Sequence, residues 1–164
     1  MSKVVLKLGD DVSTDIIYPG RFMATVLPTE TPQYAFADLS EFNNRLRKKE
    51  IPAGSIIVAG DNFGCGSSRE QAASCLKGPD LVVVARNFAR IFLQNSINLG
   101  LRTIISPEIE ADEGDELEIS GTMVVNKSTG RSFPVTPLPR SRQAIIDAGG
   151  LIPYTRERLI KANK

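Results

Sequence analysis

The chain has 164 residues, 41% hydrophobic and 6% aromatic, with no Trp and no His, and its 20 basic side chains balance 19 acidic ones. That is enough apolar material for one domain over residues 1–164, with a core filled mainly by branched aliphatic side chains. The charge balance excludes a polybasic surface for nucleic acid or anionic membranes, and no stretch approaches the about 20 apolar residues of a membrane helix. The opening MSKVVLKLGDD lacks the apolar region of a secretory signal, so a soluble, cytoplasmic protein is expected. Without histidine, proton transfer must fall to Ser, Tyr, Lys, Cys or a carboxylate. Cys65 and Cys75 are too few to hold an iron–sulfur cluster or a structural zinc ion, and they read as reduced thiols.

Val4 to Leu8 alternates loosely and predicts a first strand. Gly9 to Asp15 predicts a turn, punctuated again by Pro19-Gly20, and Arg21 to Pro32 has no period and predicts an irregular loop. Gln33 to Lys49 is read as partly helical from Phe36, Leu39, Phe42 and Leu46. Ser55 to Ala59 is an apolar run between glycines, the pattern of a buried strand. Gly60 to Gly66 then turns, and Ser67 to Leu76 predicts a helix stopped by Gly78-Pro79. A second buried strand at Leu81–Ala85, a helix over Asn87–Asn98 and a third strand at Leu101–Ile105 follow. Strand, helix, strand, helix, strand over 55–105 implies a parallel sheet with crossover helices. Beyond it, Glu116–Ile119, Thr122–Asn126 and Arg131–Val135 alternate and predict a small antiparallel meander. Helices are predicted over Ser141–Ala148 and Thr155–Lys161.

The chemistry concentrates in Gly60-Asp61-Asn62-Phe63-Gly64-Cys65-Gly66-Ser67-Ser68-Arg69-Glu70-Gln71-Ala72. Gly60, Gly64 and Gly66 allow the backbone to bend sharply and approach a ligand. Free N–H groups at a helix start favour an anion such as a carboxylate, and Arg69 adds a planar cationic fork. The same positive setting favours an ionised serine hydroxyl, the route by which a histidine-free site acquires a base. A second reading stands beside this one. Ser67/Glu70 and Ser68/Gln71 both have capping-box spacing, so the serines are also candidates for plain helix caps. Arginine in a first turn opposes the helix dipole, which favours a ligand role for Arg69.

DNFGCGSSREQA resembles the signature of the small subunits of the aconitase superfamily. Thr14-Asp15-Ile16-Ile17-Tyr18-Pro19 resembles that family's TD turn, and Phe88 to Gly100 (FARIFLQNSINLG) resembles a third motif; Gly114-Asp115 and Ala148-Gly149-Gly150-Leu151-Ile152 also fit, in the same order. The resemblance implies a swivelling α/β domain of three β/β/α layers with a central parallel or mixed sheet. It implies a hydro-lyase subunit, active with a separate large subunit whose [4Fe-4S] cluster acts as Lewis acid on the hydroxy acid. No cofactor is implied in this chain. By the same resemblance Ser67 is the base, Ser68 and Arg69 bind substrate, and Asp15 holds the constellation.

Substrate choice in the family is associated with the loop after the TD turn, here Tyr18-Pro19-Gly20-Arg21-Phe22-Met23-Ala24-Thr25-Val26-Leu27. The isopropylmalate type often carries YLRT at this place, and Phe22-Met23-Ala24-Thr25 departs from it. Phe22, Met23 and Val26 suit an alkyl group or packing on the domain itself; Arg21 suits a distal carboxylate or the surface. The expected substrate is a 2-alkylmalate of the isopropylmalate type, on the route to leucine, with homoaconitate and dimethylmalate chemistry as alternatives. A non-catalytic binding module of the same fold is the reading of a different class.

Overall fold

The computed structural model describes residues 2–163, which form a mixed sheet covered by helices. Its strands are β1 (Ser2–Lys7), β2 (Ile56–Ala59), β3 (Val82–Ala85), β4 (Arg102–Ile105), β5 (Glu116–Ile119), β6 (Met123–Asn126) and β7 (Ser132–Pro134). They lie in the order β4-β3-β2-β1-β5-β6-β7. β1 to β4 are parallel neighbours, β1 pairs antiparallel with β5, and β5 to β7 form the expected meander. The first strand therefore joins two units that look separate in sequence. An antiparallel bridge from Ile105 to Thr136 ties the β4 edge to the chain leaving β7, so the sheet curls back on itself.

This curl explains the uninterrupted apolar strands. In β2 and β3 every side chain is buried, and alternation sends successive residues to opposite faces. Ile57, Ala59, Val83 and Ala85 face the helical layer and pack with Phe42, Ala72, Leu76 and Phe92. Ile56, Val58, Val82 and Val84 face inward and meet Val4, Leu117, Val124 and Phe133. A strand buried on both sides has no polar face to display.

The helices are α1 (Thr14–Ile17), α2 (Ser40–Arg47), α3 (Glu70–Lys77), α4 (Arg90–Leu99), α5 (Arg140–Asp147) and α6 (Leu151–Ala162). Several boundaries differ from expectation. The segment read as helical from Gln33 is broken: a 3-10 turn spans Thr31–Tyr34, Phe36 sits at φ +50°, and α2 starts only at Ser40. The N–H of Phe36 is drawn out to the carbonyl of Ile17 at 2.8 Å, a tertiary bond that local periodicity does not foresee. α3 begins at Glu70 rather than Ser67, with extended Arg69 as its cap residue and no side-chain cap bond. The turn before Ile17 closes into one helical turn capped by Ser13. α6 starts at Leu151, four residues before Thr155, because Pro153 in a first turn lacks only an N–H that would have no partner there. No helix of the described residues is long and apolar enough to cross a membrane.

Candidate active site

The glycine-rich loop leaves β2 and runs to α3 beside the turn that precedes α1. The two segments are laced together by main-chain bonds. Gly64 N–H donates to Val12 O at 2.7 Å, Thr14 N–H donates to Cys65 O at 2.8 Å, and Ser13 pairs with Cys65 as a short parallel bridge. Gly64 lies at φ +86°, and a Cβ there would fall 2.2 Å from Phe92 Cγ, so only glycine lets α4 approach this loop. Phe63, Phe88 and Phe92 pack against one another beneath it, with ring centroids 5.2 to 6.2 Å apart. Farther out, Asn87 Nδ2 donates to Asp61 Oδ1 at 2.6 Å, while Asn62 N–H donates to Asn87 Oδ1 at 2.6 Å.

This arrangement speaks against the serines as helix caps. Ser67 and Ser68 precede α3 and cap nothing; both are exposed. They line a cleft of about 240 Å³ together with Thr14, Arg69, Arg90 and Asn95. Arg69 reaches back under the turn, where its Nη1 donates to Asp15 Oδ1 at 2.7 Å and to the carbonyl of Tyr18 at 3.1 Å. Its side chain is only 15% exposed, against 65% for Asp15. Asp15 Oδ1 also accepts the Gly20 N–H at 2.8 Å. A Cβ on Gly20 would stand 3.2 Å from Arg69 Nη2, so the small residue leaves room for the guanidinium. Nη2 and Nε of Arg69 have no hydrogen-bond partner among the described residues, and they are the donors with which a fork grips a carboxylate.

The Asp15 carboxyl is held below its ordinary 3.8, first by the hydrogen bond from Arg69 and next by the Gly20 N–H. A carboxyl depressed by folding gives stability that is present above its unfolded pKa and lost as pH falls through the folded value. The pair is thus intact at neutral pH and opens only in acid; because Asp15 is exposed, its effect on stability is small. Replacing Arg69 by glutamine should move the Asp15 titration, followed by its carboxyl carbon shift in NMR, upward toward 3.8. An unchanged midpoint would show that Gly20 alone sets it.

The loop after the TD turn lies apart from this cleft. Arg21 forks onto Asp38, with Nη2–Oδ1 at 2.6 Å and Nη1–Oδ2 at 3.2 Å, and its guanidinium rests 4.6 Å above the Phe22 ring. Phe22 stacks on Tyr34 at 4.0 Å between centroids, so it packs on its own domain. The hydroxyl of buried Tyr18 holds the loop through the carbonyls of Phe22 and Thr25, and Gln71 donates to Met23 O. Met23, Ala24 and Val26 are exposed, and Thr25 is partly covered. None of Arg21 to Val26 lines the serine cleft.

Sequence reasoning missed Thr14, Arg90 and Asn95 as cleft residues, although all three lie within motifs it had singled out. Several larger clefts exist, among them one of about 310 Å³ beside the β4 edge and one of about 460 Å³ at the ends of β1 and β2. The second is lined by two ion pairs, Lys7 with Asp112 and Arg131 with Glu110, and by Arg86, and among the described residues it holds no serine, threonine or cysteine hydroxyl or thiol beyond Thr129. Chemistry rather than size therefore singles out the serine cleft. No group of three or more Cys, Asp or Glu among the described residues is placed to hold a metal ion. Cys65 is half-buried, and Cys75 is fully buried with its thiol pushed well above the ordinary range by desolvation. The residues of this chain do not fit an iron–sulfur cluster.

Residues 11–108 match the family model described as the aconitase C-terminal domain. The chain is 43% identical over 156 residues to the 3-isopropylmalate dehydratase small subunit of Methanosarcina mazei, covering 92% of this chain and 93% of that one. It is 42% identical over 162 residues to the Aquifex aeolicus protein of the same name, covering 94% of each. The crystal structure of a 3-isopropylmalate dehydratase from Methanocaldococcus jannaschii superposes with a TM-score of 0.87 at 37% identity, over 98% of this chain and 96% of that one.

Proposed function

The chain belongs to the aconitase C-terminal domain family, and from that premise we propose that it is the small subunit of a 3-isopropylmalate dehydratase, supplying the base and a carboxylate-binding arginine to a hydro-lyase completed by a large subunit. The observation that carries this reading is the joint placement of Ser67, Ser68 and Arg69 on one cleft, with Asp15 fastening the arginine. The names of its relatives favour isopropylmalate over homoaconitate or dimethylmalate. Free thiols accord with a cytoplasmic location.

In this reading residues 1–164 act as one swivelling domain. Arg69 binds one carboxylate of the dicarboxylate substrate through its open donors and orients it over the cleft. Ser68 adds a hydrogen bond. Ser67 takes the proton from the substrate carbon during dehydration and returns it during hydration, as microscopic reversibility requires. The exposed Ser67 hydroxyl has no hydrogen-bond partner among the described residues, and in open solvent water screens it from Arg69. A second subunit closing over the cleft excludes water and strengthens the field of Arg69. Ile91 remains exposed at the cleft, Ile16 on α1, and Met23, Val26 and Leu27 on the loop beyond it, apolar surface of the kind a partner covers. The cluster belongs to the large subunit in this proposal. Of the loop outside the cleft, the exposed Met23, Ala24 and Val26, with Thr25 beside them, form the wall toward the alkyl group once the partner is seated, while Arg21 stays forked on Asp38 and Phe22 stacked on Tyr34, so neither takes the substrate role read from the sequence.

The test is reconstitution. The chain alone should be folded, inactive on 3-isopropylmalate, and without absorbance near about 400 nm, where iron–sulfur clusters absorb. With a large subunit it should co-purify and turn the substrate over. A brown, active lone chain would sink the proposal, and so would a complex inactive on the whole panel of alkylmalates.

A further inference from the structure

We propose that Thr14 is a positioning residue for the catalytic serine, a role that rests on the reading of Ser67 as the base. Thr14 is 2% exposed, and its hydroxyl donates to the carbonyl oxygen of Ser67 at 2.7 Å across 53 residues of chain. The hydroxyl is not needed locally. The cap of α1 is supplied by Ser13, whose Oγ accepts the Ile16 N–H, while the Thr14 carbonyl already accepts the Tyr18 N–H at 2.8 Å. The serine, in turn, has little else to fix it. It precedes α3 and follows Gly66, whose φ of +89° and lack of a side chain make it the natural hinge of the loop.

Removing the hydroxyl leaves the Ser67 carbonyl without its partner and frees the Ser67–Ser68 peptide to rotate. The main chain that aims Oγ is then held only through Cys65 on one side and α3 on the other. The next residue, Asp15, fastens Arg69 by its carboxylate. One turn of helix therefore sets the spacing of the two groups: Thr14 holds the base by its backbone and Asp15 holds the arginine by its side chain. A misplacement of about 1 Å at a reacting atom costs on the order of a hundredfold in rate, so a single bond of this kind has leverage on turnover.

The experiment compares Thr14→Val, Thr14→Ala, Thr14→Ser, Ser67→Ala and the Thr14→Val/Ser67→Ala double variant, each in the complex with the large subunit. Thr14→Val and Thr14→Ala should lower kcat at least about tenfold with KM within about threefold, and Thr14→Ser, which keeps the donor, should stay near wild type. Adding Thr14→Val to Ser67→Ala should lower kcat no further, because the bond acts only through that serine. Near wild-type turnover of Thr14→Val would overturn the proposal. So would a Thr14→Ser variant as poor as Thr14→Val, an equal drop when Thr14→Val is added to Ser67→Ala, or failure of both Thr14→Val and Thr14→Ala to fold. Wild-type turnover by Ser67→Ala would bring down the base assignment as well; a crippled Ser67→Ala beside a normal Thr14→Val would remove only the role of Thr14.

Discussion

Replacing Ser67 by alanine should lower kcat of the reconstituted enzyme at least about a hundredfold, the usual scale for loss of an acid–base group. The fold should hardly notice. Ser67 is exposed and lies before the first residue of α3, and no hydrogen bond of its hydroxyl exists among the described residues. An N-cap serine would behave differently, costing about 1 kcal/mol of stability on removal while leaving turnover intact. The boundary of α3 at Glu70 already argues against the cap, and the variant turns that geometry into a rate. KM should stay within a few-fold, because Arg69 and the partner still hold the carboxylates.

Lysine in place of Arg69 should cost on the order of 2–4 kcal/mol of transition-state binding, read as a fall in kcat/KM of about 30-fold to 1,000-fold. The charge survives this change but the fork does not. One guanidinium nitrogen is committed to Asp15 and to the Tyr18 carbonyl, and the other donors remain for substrate. An ammonium on a flexible stem can satisfy Asp15 or a substrate carboxylate but lacks the rigid geometry to serve both. Stability should change little, since the ion pair is largely open to water on its Asp15 side. Kinetics equal to wild type would remove Arg69 from the site.

Much of the parallel half of the sheet is legible in the sequence for a simple reason. β2 and β3 are buried on both faces, so each appears as an apolar run between glycines and turns. The meander is legible because β5 and β6 alternate between an enclosed core and the outside. What the sequence hides is long-range. The central position of β1 depends on pairing with Ile56 on one side and Leu117 on the other. The late start of α3 depends on Thr14 reaching Ser67, a competition that a capping pattern of four residues does not contain. The break at Phe36 depends on a bond to Ile17. In the candidate site, Ser67, Ser68 and Arg69 stand out in the sequence because they are contiguous after the glycine loop, whereas Asp15 stands out only through the resemblance, and its contact with Arg69 spans 54 residues of chain. The orientation of Arg21 is not legible there, since Asp38 captures it from 17 residues away.

The most direct measurement is kcat for Ser67→Ala beside Ser68→Ala, both assembled with the large subunit and assayed on 3-isopropylmalate. The account predicts that Ser67→Ala loses at least about a hundredfold in kcat, while Ser68→Ala keeps most of its kcat and shows mainly a raised KM. A crippled Ser68→Ala beside an active Ser67→Ala would contradict the assignment of the base, and two active variants would contradict serine catalysis by this chain altogether.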